Sequence, residues 1–106
     1  TEVALQLQAE RGLTMIHPFD DPFVIAGQGT IGLEIFKECP NIDSVIVPLS
    51  GGGLLGGIAL ALKSINPTIR TIGVSMDKGA AMVESLAAGK VVEIVEEPSL
   101  ADALVG

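Results

Sequence analysis

A chain of 106 residues is enough for one small domain, and 48% of it is hydrophobic, with a mean hydropathy of +0.56 that is high for a domain standing alone. A net charge of −7, from 6 Lys+Arg against 13 Asp+Glu, argues against a phosphate-backbone footprint for nucleic acid, as does the lack of basic clusters interleaved with aromatics. The single cysteine, Cys39, excludes an internal disulfide and has no C-x-x-C partner for a zinc knuckle, which suits a free thiol in the reducing cytoplasm.

No apolar run is long enough for a membrane span, since even residues 44–62 are interrupted by Pro48, Ser50 and five glycines. With 18% charged residues the chain is expected to present apolar faces that something else covers. It has no initiating Met, and Ala101 to Gly106 read as the start of a helix cut early. The expectation is an internal piece of a longer protein, with 1–106 forming one partial α/β domain that packs against the remainder of its parent and favours a homo-oligomer.

Residues 2–11 alternate Val3, Ala4, Leu5, Leu7 and Ala9 with polar residues and are followed by Gly12, a pattern that predicts a helix with a glycine stop. Leu13 to Ile16 predict a short strand closing at His17-Pro18, then a turn over Phe19 to Pro22. Asp21 is placed to cap the next helix and Pro22 to occupy its first position. His17 ends a strand, where α/β proteins keep functional groups, but it precedes a proline and has no second His or Cys nearby. It reads as a hydrogen-bonded turn residue.

Gly27, Gly29 and Gly32 spell G-x-G-x-x-G, the dinucleotide fingerprint. That reading needs a strand before the first glycine and an acid at the end of the second strand. Asp21-Pro22 instead starts a helix just upstream, and the next strand ends in Pro48-Leu49-Ser50. Residues 22–38 therefore predict one helix, whose three glycines let another backbone come close, each at about 1 kcal/mol of helix propensity.

Cys39-Pro40-Asn41 ends that helix. Ser44 to Leu49 are β-branched and apolar, as in a buried parallel strand, and residues 54–65 suit three turns of helix. Between them lies Ser50-Gly51-Gly52-Gly53. The first N–H groups of a helix have no intrahelical partner and carry the positive end of its dipole, and consecutive glycines remove every Cβ that would hold an anion off. This stretch predicts a phosphate cradle to which Ser50 adds a hydroxyl; the competing reading is a tight turn with close helix–sheet packing. A nucleoside triphosphate is excluded, because Gly56-Gly57 is followed by Ile58-Ala59 rather than by the Lys and Ser/Thr of a Walker loop.

Asn66-Pro67 stops the helix, Ile69 to Ser75 predict a strand, and Gly79 to Ala88 a helix stopped by Gly89. Val91 to Val95 predict another strand, Glu96-Glu97 a solvated turn, and Ser99 the cap of the last helix. Met15, Met76 and Met82 read as core residues. Strands alternating with helices imply parallel pairing with right-handed crossovers, one wing of a doubly wound α/β domain whose ligand lies at the carboxyl ends of the strands.

The runs His17-Pro18-Phe19-Asp20, Ala26 to Glu34 with Gln28-Gly29-Thr30 at its centre, and Val47-Pro48-Leu49-Ser50-Gly51-Gly52-Gly53-Leu54 resemble the serine/threonine dehydratases. These are fold-type II pyridoxal-phosphate enzymes, a group that includes serine racemase and the hydroxyectoine-utilisation dehydratases. The resemblance covers nearly the whole chain. It implies a three-layer αβα fold of the tryptophan synthase β type, a mostly parallel sheet with helices on both faces, and pyridoxal 5'-phosphate held at Ser50, Gly51, Gly52, Gly53 and Leu54. The family usually shows a fourth glycine where this chain has Ser50. Gln28-Gly29-Thr30 looks like the family's helix-packing signature.

The implied reaction on a small hydroxy amino acid is loss of the α-proton, elimination of the β-hydroxyl, and release of ammonia and a 2-oxo acid, with the cofactor as electron sink. The family's cofactor-binding lysine and its Ser-Gly-Asn substrate loop lie upstream of this window. Lys37, Lys63, Lys78 and Lys90 match neither, so no catalytic residue is assigned. Members near serine racemase hold a divalent cation through carboxylates after the strand that follows the glycine loop; the corresponding Ser75, Gly79 and Ala81 carry none, so no metal is expected there. The alternatives are another fold-type II enzyme, a β-replacement synthase or a racemase, and a non-catalytic phosphometabolite- or nucleotide-binding module.

Overall fold

A computed structural model describes residues 2–77, 80–94 and 99–104. Helix α1 (Glu2–Arg11) ends where Gly12 takes φ +63°, a left-handed turn that a residue without Cβ adopts at little cost. α1 buries none of its residues. Leu13 to Ile16, expected as a strand, are irregular. Strand propensity is realised only by pairing, and this run pairs with neither strand of the sheet described.

Helix α2 (Pro22–Glu38) begins as its sequence predicts. The Asp21 carboxylate accepts from the N–H groups of Phe23 (2.8 Å) and Val24 (3.2 Å), and Pro22 opens the first turn. Strand β1 (Ser44–Pro48), helix α3 (Gly53–Ile65) and strand β2 (Arg70–Val74) form a β-α-β unit. β1 and β2 pair in parallel, in register from Ser44 opposite Arg70 to Pro48 opposite Val74. The ladder is extended by Arg70 N–H donating to Asp43 C=O (2.9 Å) and Leu49 N–H donating to Val74 C=O (2.8 Å).

Asn66 ends α3 in an extended conformation, as the residue before Pro67 must, and its side-chain oxygen accepts from the N–H and hydroxyl of Thr68. The Lys63 ammonium donates to the Ile69 carbonyl at 3.0 Å, tying the end of α3 to the start of β2.

The core lies where α3 covers one face of the sheet. Val47, Ile58, Leu62 and Ile69 are buried, and Phe36, Ile42, Val45, Leu54 and Leu55 pack around them. Burying a side chain the size of Leu62 or Ile69 contributes about 1.5–3 kcal/mol. Val45 and Val47 share the covered face, whereas Ile46, of opposite parity, is 69% exposed on the other. Gly73 keeps the covered face open: a Cβ there would lie 2.8 Å from Leu55 Cδ2. The architecture is α/β with a parallel sheet, and among the described residues the sheet has two strands.

α2 crosses α3 through glycines. A Cβ on Gly57 would strike the Ile25 carbonyl oxygen and lie 2.8 Å from Gly29 N; on Gly32 it would lie 3.1 Å from Ile58 O and Ala61 Cβ. Gly29, Gly32 and Gly57 are accordingly buried. Gly27 does not take part: nothing lies within 4 Å of its absent Cβ. The close approach expected of three glycines is made by two of them, with Gly57 opposite.

Helix α4 (Ala81–Ala88) ends at Gly89, φ +71°, as expected. No strand forms over Val91 to Ile94, and Val95, Glu96 and Glu97 lie outside the described residues, as do Lys78 and Gly79. Ser99 Oγ accepts from Ala101 N–H (3.1 Å), but the described segment after it is one 3-10 turn, Asp102–Leu104, not an α-helix. None of the methionines read as core is fully buried: Met76 and Met82 are half-buried and Met15 exposed. No helix among the described residues is long and apolar enough to cross a membrane.

The crossing makes the glycines of α2 and α3 unequal. Gly57→Ala is expected to destabilise the full-length protein by roughly 1–3 kcal/mol through overpacking against backbone that cannot swing away. Gly27→Ala is expected to stabilise it by up to about 1 kcal/mol, since it gains helix propensity in open space. Thermal or urea unfolding of the two variants checks both signs.

Candidate functional site

The loop Ser50 to Gly53 leaves β1 at its carboxyl end and opens α3. Gly52 stands at the N-cap with φ +92°, and no side chain caps the helix. The first turn bonds normally from Gly56, whose N–H donates to Gly52 C=O at 2.8 Å. The N–H groups of Gly53, Leu54 and Leu55 therefore have no partner within the helix and point out of its positive end.

Gly53 and Leu54 line a cavity of about 700 Å³ at this end of the helix. Ser50, Gly51, Gly52, Gly53 and Leu54, the residues expected to hold a phosphate, all line it. So do Pro18 and Phe19 from the turn before α2, Gln28 from α2, Pro48, and Leu100, Ala101, Ala103 and Leu104 from the last segment. Of these side chains only Gln28 and Ser50 are polar. Among the described lining residues an anion would be met by backbone N–H groups and a helix dipole of about half a charge, not by a cation.

Gln28 was expected to serve helix packing. It does, with its Cβ 3.1 Å from where a Gly57 side chain would begin, yet it also reaches the cavity wall. Phe19 stands in the run His17-Pro18-Phe19-Asp20 that carries the resemblance, and the segment from Leu100 follows the expected cap Ser99, but the sequence assigns neither to the site. Neither an aromatic in a turn nor a short apolar run says by its position in the chain that it borders the glycine loop, and only the fold brings them there.

His17 occupies the turn role expected of it. Its Nδ1 accepts from Asp20 N–H at 2.9 Å, so in the neutral ring the proton sits on Nε2, and the ring meets Phe19 edge to face at 4.7 Å. Among the described residues no lysine lines the cavity. Lys63 is engaged at the far end of α3, about 1.5 Å per residue along a thirteen-residue helix. Cys39 is exposed at the end of α2. Among the described residues no group of three or more His, Cys, Asp or Glu is placed to hold a metal.

Residues 1–106 match the family described as pyridoxal-phosphate dependent enzyme. The chain belongs to that family. It is 46% identical over 103 residues to an L-threonine ammonia-lyase of Thermotoga maritima, a match covering 97% of this chain and 26% of the relative. Among solved structures it superimposes on the processed form of threonine deaminase isoform 2 from Solanum lycopersicum with a TM-score of 0.90 at 42% identity, covering 98% of this chain and 30% of that one. Maize serine racemase gives a TM-score of 0.89 at 42% identity, covering 97% of this chain and 32% of that one. The chain thus spans about a quarter to a third of the length of these relatives, and its fold is that of fold-type II pyridoxal-phosphate enzymes.

The loop suits such a cofactor's phosphate on chemical grounds. A phosphate ester brings charge and several acceptor oxygens, and the loop offers converging donors with no Cβ between. Gly52 carries the strictest demand, because its φ of +92° is costly for any L side chain and a Cβ would lie 3.1 Å from Met82 Cε. Gly52→Ala is expected to cost about 1–2 kcal/mol and to weaken phosphate-ester binding. Gly56→Ala, whose Cβ meets nothing within 4 Å, is expected to do neither, which unfolding and ligand titration of the full-length variants would show.

Proposed function

We propose that this chain is the cofactor-phosphate-binding part of a pyridoxal-phosphate-dependent hydroxy amino acid dehydratase, a threonine or serine ammonia-lyase. The observation that carries the reading is the uncapped N-terminus of α3, with its glycine loop at the carboxyl end of a parallel strand and facing the cavity. The likeness to threonine ammonia-lyase and threonine deaminase supplies the substrate class.

In this reading Ser50, Gly51, Gly52, Gly53 and Leu54 hold the phosphate: the backbone N–H groups donate to its oxygens, and the Ser50 hydroxyl adds a donor. The bound cofactor supplies an electron sink that makes the α-proton of a hydroxy amino acid acidic enough to leave and the β-hydroxyl able to depart. This chain's contribution is anchorage. With no cation among the described lining residues, the dipole of α3 and the neutral amides would balance the phosphate, beside an apolar wall of Pro18, Pro48, Phe19 and Leu54. The lysine that bonds the cofactor comes from outside this chain, and so do the groups that bind the substrate carboxylate. The isolated chain is inactive on this reading.

A racemase is the second reading, favoured by the match to maize serine racemase. Against it stand Ser75, Gly79 and Ala81, which offer no carboxylate at the positions that correspond to the cation ligands of members near serine racemase.

The deciding measurement is the absorption spectrum of the full-length protein, purified without added cofactor, before and after threonine and serine are supplied. A bound-cofactor band in the visible that changes with either amino acid, with ammonia and 2-oxo acid accumulating, is the expected result. D-amino acid accumulating instead would favour the racemase. No band, even after pyridoxal phosphate is added, would refute both.

A further inference from the structure

Nothing within the glycine loop holds it in shape. Gly51, Gly52 and Gly53 have no side chains to anchor them, and α3 has no side-chain cap. Three consecutive glycines also have the most conformational freedom to lose on ordering. The loop is shaped from outside.

The residue that shapes it is Phe19. A Cβ built on Gly51 would fall within the Phe19 ring, against Cγ, Cδ1 and Cδ2. A Cβ on Gly53 would lie 2.9 Å from both the Cα and the carbonyl oxygen of Phe19. One residue from a distant segment thus fills the space of two missing side chains. Gly51 does not have a positive φ, so its backbone conformation would tolerate alanine. What forbids a side chain there is the ring.

Phe19 is itself fixed. Its ring meets His17 edge to face at 4.7 Å and 84°, the turn closes through Asp20 N–H donating to His17 Nδ1, and Asp21 ties the end of the turn to α2. Yet Phe19 remains 41% exposed and lines the cavity, so burial in the core does not account for its place.

We propose that Phe19 is the positioning residue of the phosphate loop, holding Gly51 to Gly53 in their anion-ready shape before any ligand arrives. The proposal rests on the reading that this loop takes the phosphate of pyridoxal phosphate. Phe19 offers no donor or charge to the anion. Its contribution is preorganisation, so its loss appears as weaker binding of a phosphate-bearing ligand, because the loop must then order as it binds.

The experiment uses the full-length apoprotein and titrates pyridoxal phosphate and phosphate-free pyridoxal into wild type, Phe19→Ala, Phe19→Leu, Gly51→Ala and the Phe19→Ala/Gly51→Ala pair. The ³¹P resonance of the bound phosphate is recorded in each. Phe19→Ala is expected to weaken pyridoxal phosphate roughly tenfold, on the scale of ordering a single loop residue, and to shift or broaden the ³¹P line. Pyridoxal binding should hold constant, and Phe19→Leu should restore most of the affinity. Gly51→Ala should be damaging beside Phe19 and far less so once the ring is gone.

Wild-type affinity and ³¹P line in Phe19→Ala would overturn the proposal, as would equal loss for pyridoxal and its phosphate, or additive effects of the two substitutions. Should Phe19→Ala fail to fold, Phe19→Leu and the Gly51→Ala effect in its background carry the same test. A wild-type protein that does not bind pyridoxal phosphate would overturn the loop reading, and this proposal with it. Binding by wild type with unaffected variants overturns this proposal alone.

Discussion

The contact on which the rest of the structure depends is the near-touching of α2 and α3 at Gly29, Gly32 and Gly57. A Cβ on Gly57 would strike the Ile25 carbonyl, so the two helix backbones are as close as glycine allows. α3 also covers the sheet through Ile58 and Leu62, and it starts at the glycine loop. Holding α2 hard against α3 therefore fixes what lies before α2: the His17 to Asp21 turn, and with it Phe19 against Gly51 and Gly53. Packing of one helix pair is carried to the loop through a capped turn, by van der Waals contact of Phe19 with Gly51 and Gly53.

The site that results is electrostatically spare. Among the described residues its lining has two polar side chains and no charged one, so a phosphate there would be met by amide dipoles rather than by salt bridges. This suits an anchor for a resident cofactor, whose position must be fixed while its reactive end is handled by other groups. The net charge of −7 does not speak against an anion at this loop, because no acidic residue is found among the described lining residues.

Local chemistry made several elements legible in the sequence. Asp21-Pro22, Gly12, Gly89 and Asn66-Pro67 act within one or two residues of themselves, and each stands where the sequence placed it. The glycine loop was legible for the same reason: β-branched strand, run of glycines and helix former are adjacent in the chain. The misreadings have a common cause. Leu13 to Ile16 and Val91 to Ile94 have the composition of strands, but a strand exists only against a partner edge, and composition carries no information about that edge. Gly27 and Gly29 looked alike two residues apart, yet they lie on different faces of α2, and only one meets α3.

The sequence by itself determined the α/β order, the parallel β-α-β unit around Ser50 to Gly53 and the resemblance that led to the cofactor, because each depends on residues close in the chain or on a run of motifs read in order. Only the tertiary structure decided which glycines touch, that Gln28 and the Leu100 segment border the loop, and that Phe19 stands in for the side chains missing from Gly51 and Gly53. Residues 19 and 51 are far apart in sequence, and their contact follows from the crossing of two helices, a relation that no local pattern encodes.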